Sequence, residues 1–286
     1  MEKQDRFYFL KTFLAILIIL DIVIWFFIFS SYQSRNLALY FLSVGQGDSS
    51  LIMLPNNHKI LIDGGPMNGR LNQNLEQILP ANDRYIDLII ISHPQLDHFG
   101  GFINLLKTYK IGAVLTSHAQ SQNASWKEME KLINDKKIPR IVLNTGDKIK
   151  YLDTALDIIS PDKGAFAKDV NDLSISILLN NKGIKGFFAG DASAKLEKRL
   201  ANIFNVNADI LKVSHHGSKY SSDSTFLKEA SPAVSVIGVG KNSYGHPTKE
   251  ALYRLQGVGS RIFRTDKNGL IKIDFTDEGL RVYSAL

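Results

Sequence analysis

The chain has 286 residues, 44% of them hydrophobic, which is enough for one large core or two modest ones. It contains no cysteine, so disulfides and thiolate metal sites are excluded and any metal must be held by imidazole, carboxylate, amide or water. The net charge is +6, and between residues 181 and 272 fifteen Lys and Arg face seven Asp and Glu, an excess that suits an anionic substrate and equally an ordinary solvated basic face.

From Thr12 to Ser31 the sequence TFLAILIILDIVIWFFIFSS is apolar over about twenty residues, the length that crosses a hydrocarbon core as a helix. Asp21 is its one charged member, an expense that the many Ile, Leu and Phe offset. Lys3, Arg6 and Lys11 precede the stretch and only Arg35 follows closely. The positive-inside rule then predicts a cytoplasmic segment 1–11, a transmembrane signal anchor 12–31, a linker 32–36, and a domain 37–286 exterior to the cytoplasmic membrane. A cleaved signal peptide is the weaker reading, because the stretch is long and no A-x-A-like site follows it.

Beyond residue 36 short β-rich runs alternate with helical ones. LALYFLSV, SSLIML and KILID read as three strands, followed by a helix from Leu71 to Leu79, a strand at Ile86 to Ile91 and a helix from Phe99. IGAVLTS, a helix from Trp126 to Asp135 and RIVL come next, then the strands ALDIIS, LSISILL and IKGFFAG. A helix at Ser193 to Ala201, the strand ADILKVS, a helix at Ser224 to Glu229, AVSVIGV and a helix at Lys249 to Gln256 lead to RIFRT, LIKIDF and LRVYS. This order predicts an α+β domain of two sheets packed face to face with helices outside.

The chemistry-bearing residues fall at strand ends. His93, Asp97 and His98 follow the Ile-rich run directly and precede Gly100 and Gly101, so one short loop directs three donors toward one point. Asp97 is also a plausible helix cap. Asp191 ends IKGFFAGD; His215 and His216 end DILKVSHH; both are followed by turn residues. His215 reads as the ligand of its pair and His216 as a positioning or protonating group. Asp63 precedes Gly64 and Gly65, where it either orients a ligand from behind or makes an ordinary Asp-Gly turn. Asn171 and Asp172 precede a strand. Asn242, Tyr244 and His246 share a loop punctuated by glycine and proline, suited to phosphate oxygens.

Seven blocks, VGQGDS, ILIDGG, SHPQLDHFGG, NDLS, FFAGDAS, DILKVSHHGS and NSYGHP, run in this order from Val44 to Pro247. Together they resemble the metallo-β-lactamase superfamily, most closely the soluble hydrolase domain of ComEC/Rec2 competence proteins. The resemblance implies a four-layer αββα sandwich, two divalent cations at its edge and nuclease activity on DNA during uptake. It assigns His93 and Asn171 to one cation, Asp97, His98 and His215 to the other, and Asp191 to both. Asp97, Asp191 and His246 take catalytic roles; His216, Lys219, Asn242 and Tyr244 face the substrate; Asp63 and Gln95 support the ligands. Lys212, Lys219 and Lys241 are expected to steer a nucleic-acid backbone.

Gln95 stands where the superfamily has histidine and ComEC-like members commonly have aspartate. With fewer imidazoles and more oxygen donors, the expected ions are Mn²⁺ or Zn²⁺, with Mg²⁺ a third candidate. The expected activity is a membrane-anchored, metal-dependent phosphodiesterase without the polytopic channel of its relatives. Two alternatives remain open: hydrolysis of a small ester, lactone or lipid-linked phosphodiester, and a degenerate module that binds DNA or a partner without cleaving. No sequence feature points to a protein partner.

Overall fold

The computed structural model describes residues 3–32, 36–276 and 278–285. An N-terminal helix, α1 (Lys3–Tyr32), starts well before Thr12 and carries an apolar window from Arg6 to Phe27 that none of the described residues buries. Its 22 residues span about 33 Å, sufficient for a hydrocarbon core. Most of the expected linker, residues 33–35, lies outside the described residues.

Two mixed sheets form the rest. The first contains β1 (Ala38–Phe41), β2 (Ser50–Met53), β3 (Lys59–Ile62), β4 (Tyr85–Ile91), β5 (Lys110–Thr116), β6 (Arg140–Val142), β14 (Ile271–Thr276) and β15 (Gly279–Ser284), in the order β15-β14-β1-β2-β3-β4-β5-β6. The second contains β7 (Lys148–Tyr151), β8 (Thr154–Ser160), β9 (Ser176–Asn181), β10 (Ile184–Phe188), β11 (Ile210–Lys212), β12 (Val234–Ile237) and β13 (Arg261–Arg264), in the order β13-β12-β11-β10-β9-β8-β7. Strand β7, KIKY, is absent from the sequence reading; its lysines alternate with half-buried residues on a sheet edge, where an apolar signal is weak.

Side-chain alternation builds the layers. On β4, Ile90 joins Phe41, Ile62, Ile177, Phe188 and Val236 between the sheets, while Ile89 and Ile91 face the outer helices. Helices α2 (Arg70–Ile78), α3 (Leu96–Thr108) and α4 (Ala124–Asp135) cover the first sheet, with Phe99 edge-on to Trp126 at 5.0 Å. Helices α5 (Ala194–Ile203), α6 (Ser224–Ala230) and α7 (Lys249–Gly257) cover the second around Phe187, Phe226 and Leu255. The result is the expected four-layer αββα sandwich.

Strand directions fix which end holds the chemistry. β3 and β4 run parallel to each other, as do β10, β11 and β12, and the C-terminal ends of both sets meet at one edge. The sheets are joined there by Ile175 N–H donating to Ser92 O, while His215 N–H donates to Gly190 O between the ends of β11 and β10 in the second sheet. β1 pairs antiparallel with β2, and β2 with β3, so β1 runs parallel to β3 and begins at the opposite end. That far end is a cavity of about 580 Å³ lined by Asn36, Leu37, Pro55, Leu152, Lys182 and Glu278, the entry to β1 together with the turns of four hairpins.

Candidate metal centre

Helix α3 begins at Leu96, not at Phe99, so Asp97 and His98 belong to its first turn and only His93 stays in the preceding loop. A carboxylate in a first helical turn is favoured by the macrodipole, which offsets the missing side-chain cap at Gln95. The early start turns His98 inward, where it is fully buried, and leaves Asp97 at the rim. Gly101 lets α3 lie against the turn after β3: a Cβ there would come 2.1 Å from Gly64 O.

His98 is held from both sides. Its Nδ1 lies 2.8 Å from Asp63 Oδ2, and its Nε2 is 3.3 Å from Asp191 Oδ1. Asp63 is itself fixed by Ser92, whose backbone N–H and hydroxyl both donate to it at 2.8 Å. Burial alone favours a neutral His98 ring, but Asp191 and Asp63 outweigh it and hold its pKa well above the ordinary histidine value. For Asp191 burial opposes ionisation, yet His98 and His216 keep its carboxyl well below the usual carboxylate range.

The turn after β11 decides between the two adjacent histidines. His215 and His216 both adopt left-handed backbone, φ +49° and +52°, a strained pairing that sends their rings in different directions. His216 is buried, with Nε2 3.3 Å from Asp97 Oδ2 and 3.7 Å from Asp191 Oδ2. Its Nδ1 lies 2.9 Å from Gly238 O and 3.3 Å from Asp48 Oδ1. Burial works against its charge, but Asp48 and Asp191 raise its pKa to about 10. His215 is 30% exposed, faces the cleft, and reaches only to 3.9 Å from Asp191 Oδ2. The placement is the reverse of the one expected: His216 is the buried ring beside Asp97, and His215 is the ring that faces the cleft.

Asp48, His98, Asp191 and His216 offer donor atoms within 4.8 Å of one another. Asp48 stands behind the His216 ring, and its other oxygen pairs with Lys212 Nζ at 2.6 Å, so it orients the donor and Asp97 fills the open side. The four inward groups, Asp97, His98, Asp191 and His216, fit a cation. Bonds of about 2.0–2.1 Å in a tetrahedron put neighbouring donors about 3.3 Å apart, close to the 3.3 and 3.7 Å observed. His98 Nε2, His216 Nε2 and Asp191 Oδ1 are buried and make no hydrogen bond among the described residues, a costly arrangement that a bound cation relieves.

A second donor group lies on the other side of Asp191. His93 Nε2 is 4.0 Å from Asp191 Oδ2 and 3.1 Å from Gln95 Oε1, and its Nδ1 meets Ser92 Oγ at 2.9 Å. Burial and the neighbouring His98 charge lower the His93 pKa, keeping it neutral and able to donate a lone pair. The buried Oδ1 of Asn171, without a hydrogen-bond partner, lines the same space. The Asp/His cluster thus fits a dimetal site with Asp191 between its halves.

The cluster opens into a cleft of about 570 Å³ walled by Gln46, Pro66, Gln95, His215, Tyr244 and His246. Burial, then the nearby His215 and His216, lowers the His246 pKa. Its Nδ1 is buried, which leaves Nε2 as the nitrogen accessible from the cleft. Two expectations are corrected here, those for Asn242 and Lys212. Asn242 does not face substrate: its amide donates to Gly240 O and His246 O and accepts from the Tyr244 and His246 N–H groups, bracing its own loop. Lys212 steers nothing, being buried against Asp48. Lys219 lies outside the cleft wall, with its ammonium 5.1 Å from the Tyr220 ring centre. Asp48, Ser92 and Gln46 received no role from sequence; the signal available for Asp48 was its place in VGQGDS beside a lysine embedded in the apolar run DILKVS.

An αββα sandwich with an Asp/His donor cluster at the strand ends defines the class of metal-dependent hydrolases. The chain belongs to the metallo-β-lactamase superfamily, whose family model matches residues 42–241. It is 27% identical over 252 residues to ComE operon protein 3 of Bacillus subtilis, covering 81% of this chain and 32% of that protein. It is 28% identical over 249 residues to Recombination protein 2 of Haemophilus influenzae, covering 85% and 29%. The chain thus spans about a third of the length of these relatives. Among solved structures, the metallo-β-lactamase fold protein YhfI from Bacillus subtilis superposes with a TM-score of 0.58 at 12% identity, covering 83% of this chain and all of that one, a likeness of fold.

Proposed function

We propose that the protein is a metal-dependent phosphodiesterase that cleaves nucleic acid outside the cytoplasmic membrane, to which α1 anchors it. The observation that carries this reading is the ring of buried donors without hydrogen bonds around Asp191, opening into a cleft beside a neutral imidazole. Divalent cations held by Asp97, His98, Asp191 and His216, and by His93 with Gln95 and Asn171, would supply an acidified water and positive charge against the phosphate. Asp63 and Asp48 hold the His98 and His216 rings in register from behind. His246 Nε2 exchanges the proton of the leaving oxygen, and His215 and Tyr244 flank the phosphate.

Two arguments favour nucleic acid. One relative named above is by name a recombination protein, and recombination is a process of nucleic acid. The other argument is geometric and bears against a lipid-linked substrate. Only residues 33–35 separate Tyr32 from Asn36, a reach of at most about 14 Å, so the Asn36 end of the sandwich stays close to α1. The donor cluster is at the opposite end of the sandwich from Asn36. A soluble polymer suits such a cleft better than a lipid headgroup.

Incubating purified protein with Mn²⁺ and labelled single- or double-stranded DNA tests the reading. Cleavage that disappears in Asp97→Ala is expected. DNA left intact by a preparation with full metal content would overturn it.

A further inference from the structure

Three large aromatic side chains on the loops and helix that follow β11 and β12 are mostly exposed to solvent. Tyr244 on the cleft wall is 73% exposed, Tyr220 in the turn after His216 is 70% exposed, and Tyr253 on α7 is 77% exposed. None of their hydroxyls makes a hydrogen bond among the described residues. Single exposed aromatics are common, but three on these elements are not explained by packing.

The backbone beneath them is braced. Arg254 Nη2 donates to Lys219 O and Ser221 O, tying the helix that bears Tyr253 to the turn that bears Tyr220. Thr248 N–H donates to Gly217 O, tying the start of α7 to the same turn, and the Asn242 amide fixes the loop that bears Tyr244. The three rings therefore stand on elements tied to one another, of which the Tyr244 loop is part of the cleft wall, with Tyr244 stacked on His246 at 5.8 Å.

The same elements carry lysines, with Glu250 beside Lys249 and Tyr253 on α7. Lys219, Lys241 and Lys249 form no ion pair among the described residues, so their charge is available to a partner. Exposed aromatic rings accompanied by lysines without ion pairs match a strand of splayed bases linked by phosphates; duplex DNA hides its base faces and cannot use the rings.

We infer that Tyr244, Tyr220 and Tyr253, with Lys219, Lys241 and Lys249, form a track that binds single-stranded nucleic acid by base stacking and leads it into the metal cleft. This rests on nucleic acid being the substrate. Bases stack on the phenol faces while the lysines follow the backbone.

Fluorescence anisotropy of a labelled oligodeoxythymidine, with full-length protein in detergent and chelator present to stop cleavage, tests the track. Variants are first matched to wild type by melting temperature. Single strand is expected to bind more tightly than duplex of equal length. Tyr220→Ala and Tyr253→Ala each weaken it about five-fold or more, whereas Tyr220→Phe and Tyr253→Phe bind like wild type. Lys249→Gln flattens the dependence on log salt by about 0.7. Equal affinity for single strand and duplex, or alanine variants that bind like wild type, would overturn the track. A parallel assay on bis-nitrophenyl phosphate separates the two ideas. Wild type that hydrolyses the diester but binds both DNA forms equally loses the track and keeps the phosphodiesterase. Wild type that binds single strand through the tyrosines but hydrolyses no diester with any divalent metal keeps the track and loses the phosphodiesterase.

Discussion

Asp63 Oδ2 lies 2.8 Å from His98 Nδ1, and this contact aims His98 Nε2 at Asp191. The two residues are 35 positions apart and meet because β3 and β4 are parallel neighbours whose C-terminal ends coincide. A carboxylate behind an imidazole fixes the ring and its tautomer, leaving the far nitrogen as the donor. Asp63→Asn keeps the shape and removes the charge. It is expected to lower metal affinity about 10- to 100-fold with the fold retained, as read by competition with a chromophoric chelator. An affinity equal to wild type would mean that Asp63 is merely a turn residue.

The adjacent histidines separate by metal content. His216→Ala removes a buried donor and should abolish tight binding at the Asp97 side. His215→Ala should retain that ion while losing turnover. Elemental analysis of both variants, beside their activity, checks that role follows placement; the opposite pattern would restore His215 as the ligand.

Metal uptake should release protons. His98 and His216 must be neutral to bind a cation, and both have raised pKa values, that of His216 about 10. Affinity should therefore rise with pH from neutrality toward 10, with proton release visible in calorimetry across buffers of different ionisation enthalpy. In the metal-free protein the sign is opposite. A histidine with a raised folded pKa gives stability that is complete below its unfolded value, near 6.5, and is lost as pH passes through the folded one. Chelated protein should melt progressively lower between pH 7 and 10, and the metal-loaded protein should not.

Glu197 on α5 is buried and accepts hydrogen bonds from Ser214 Oγ at 2.6 Å and Asp223 N–H at 2.8 Å. Burial dominates and raises its pKa to about 7 from 4.5. Its stabilising contribution is complete below pH 4.5 and is lost as pH rises through 7, a swing on the order of 3 kcal/mol. Glu197→Gln, whose amide can donate to Ser214 and accept from Asp223, should match wild type at acid pH and exceed it in denaturant midpoint at pH 8.5.

Much of this was legible in the sequence because strand-end donors sit next to long apolar runs. Ile86 to Ile91, and FFAG before Asp191, announce buried strands, and a polar residue at such an end has few places to point. The layers followed from the alternation of strands and helices. What stayed hidden depends on backbone dihedrals and on contacts distant in sequence. No pattern reveals that the His215–His216 turn is left-handed at both residues, which decides which ring is buried. Nor does any local signal show that Lys212 meets Asp48, 164 positions away, and so is withdrawn from the surface. Asn242 was misread for a similar reason: an amide on a polar loop looks free until its four backbone partners are known.

The central claim is that Asp97, His98, Asp191 and His216, with His93 beyond them, hold divalent cations. Its most direct measurement is the metal-to-protein ratio of the chelator-free protein, determined beside an Asp191→Asn variant of unchanged melting temperature. A ratio near two in wild type, falling below one in the variant, is predicted. A wild-type ratio near zero after equilibration with Mn²⁺ and Zn²⁺, or a variant that retains both ions, would contradict the account.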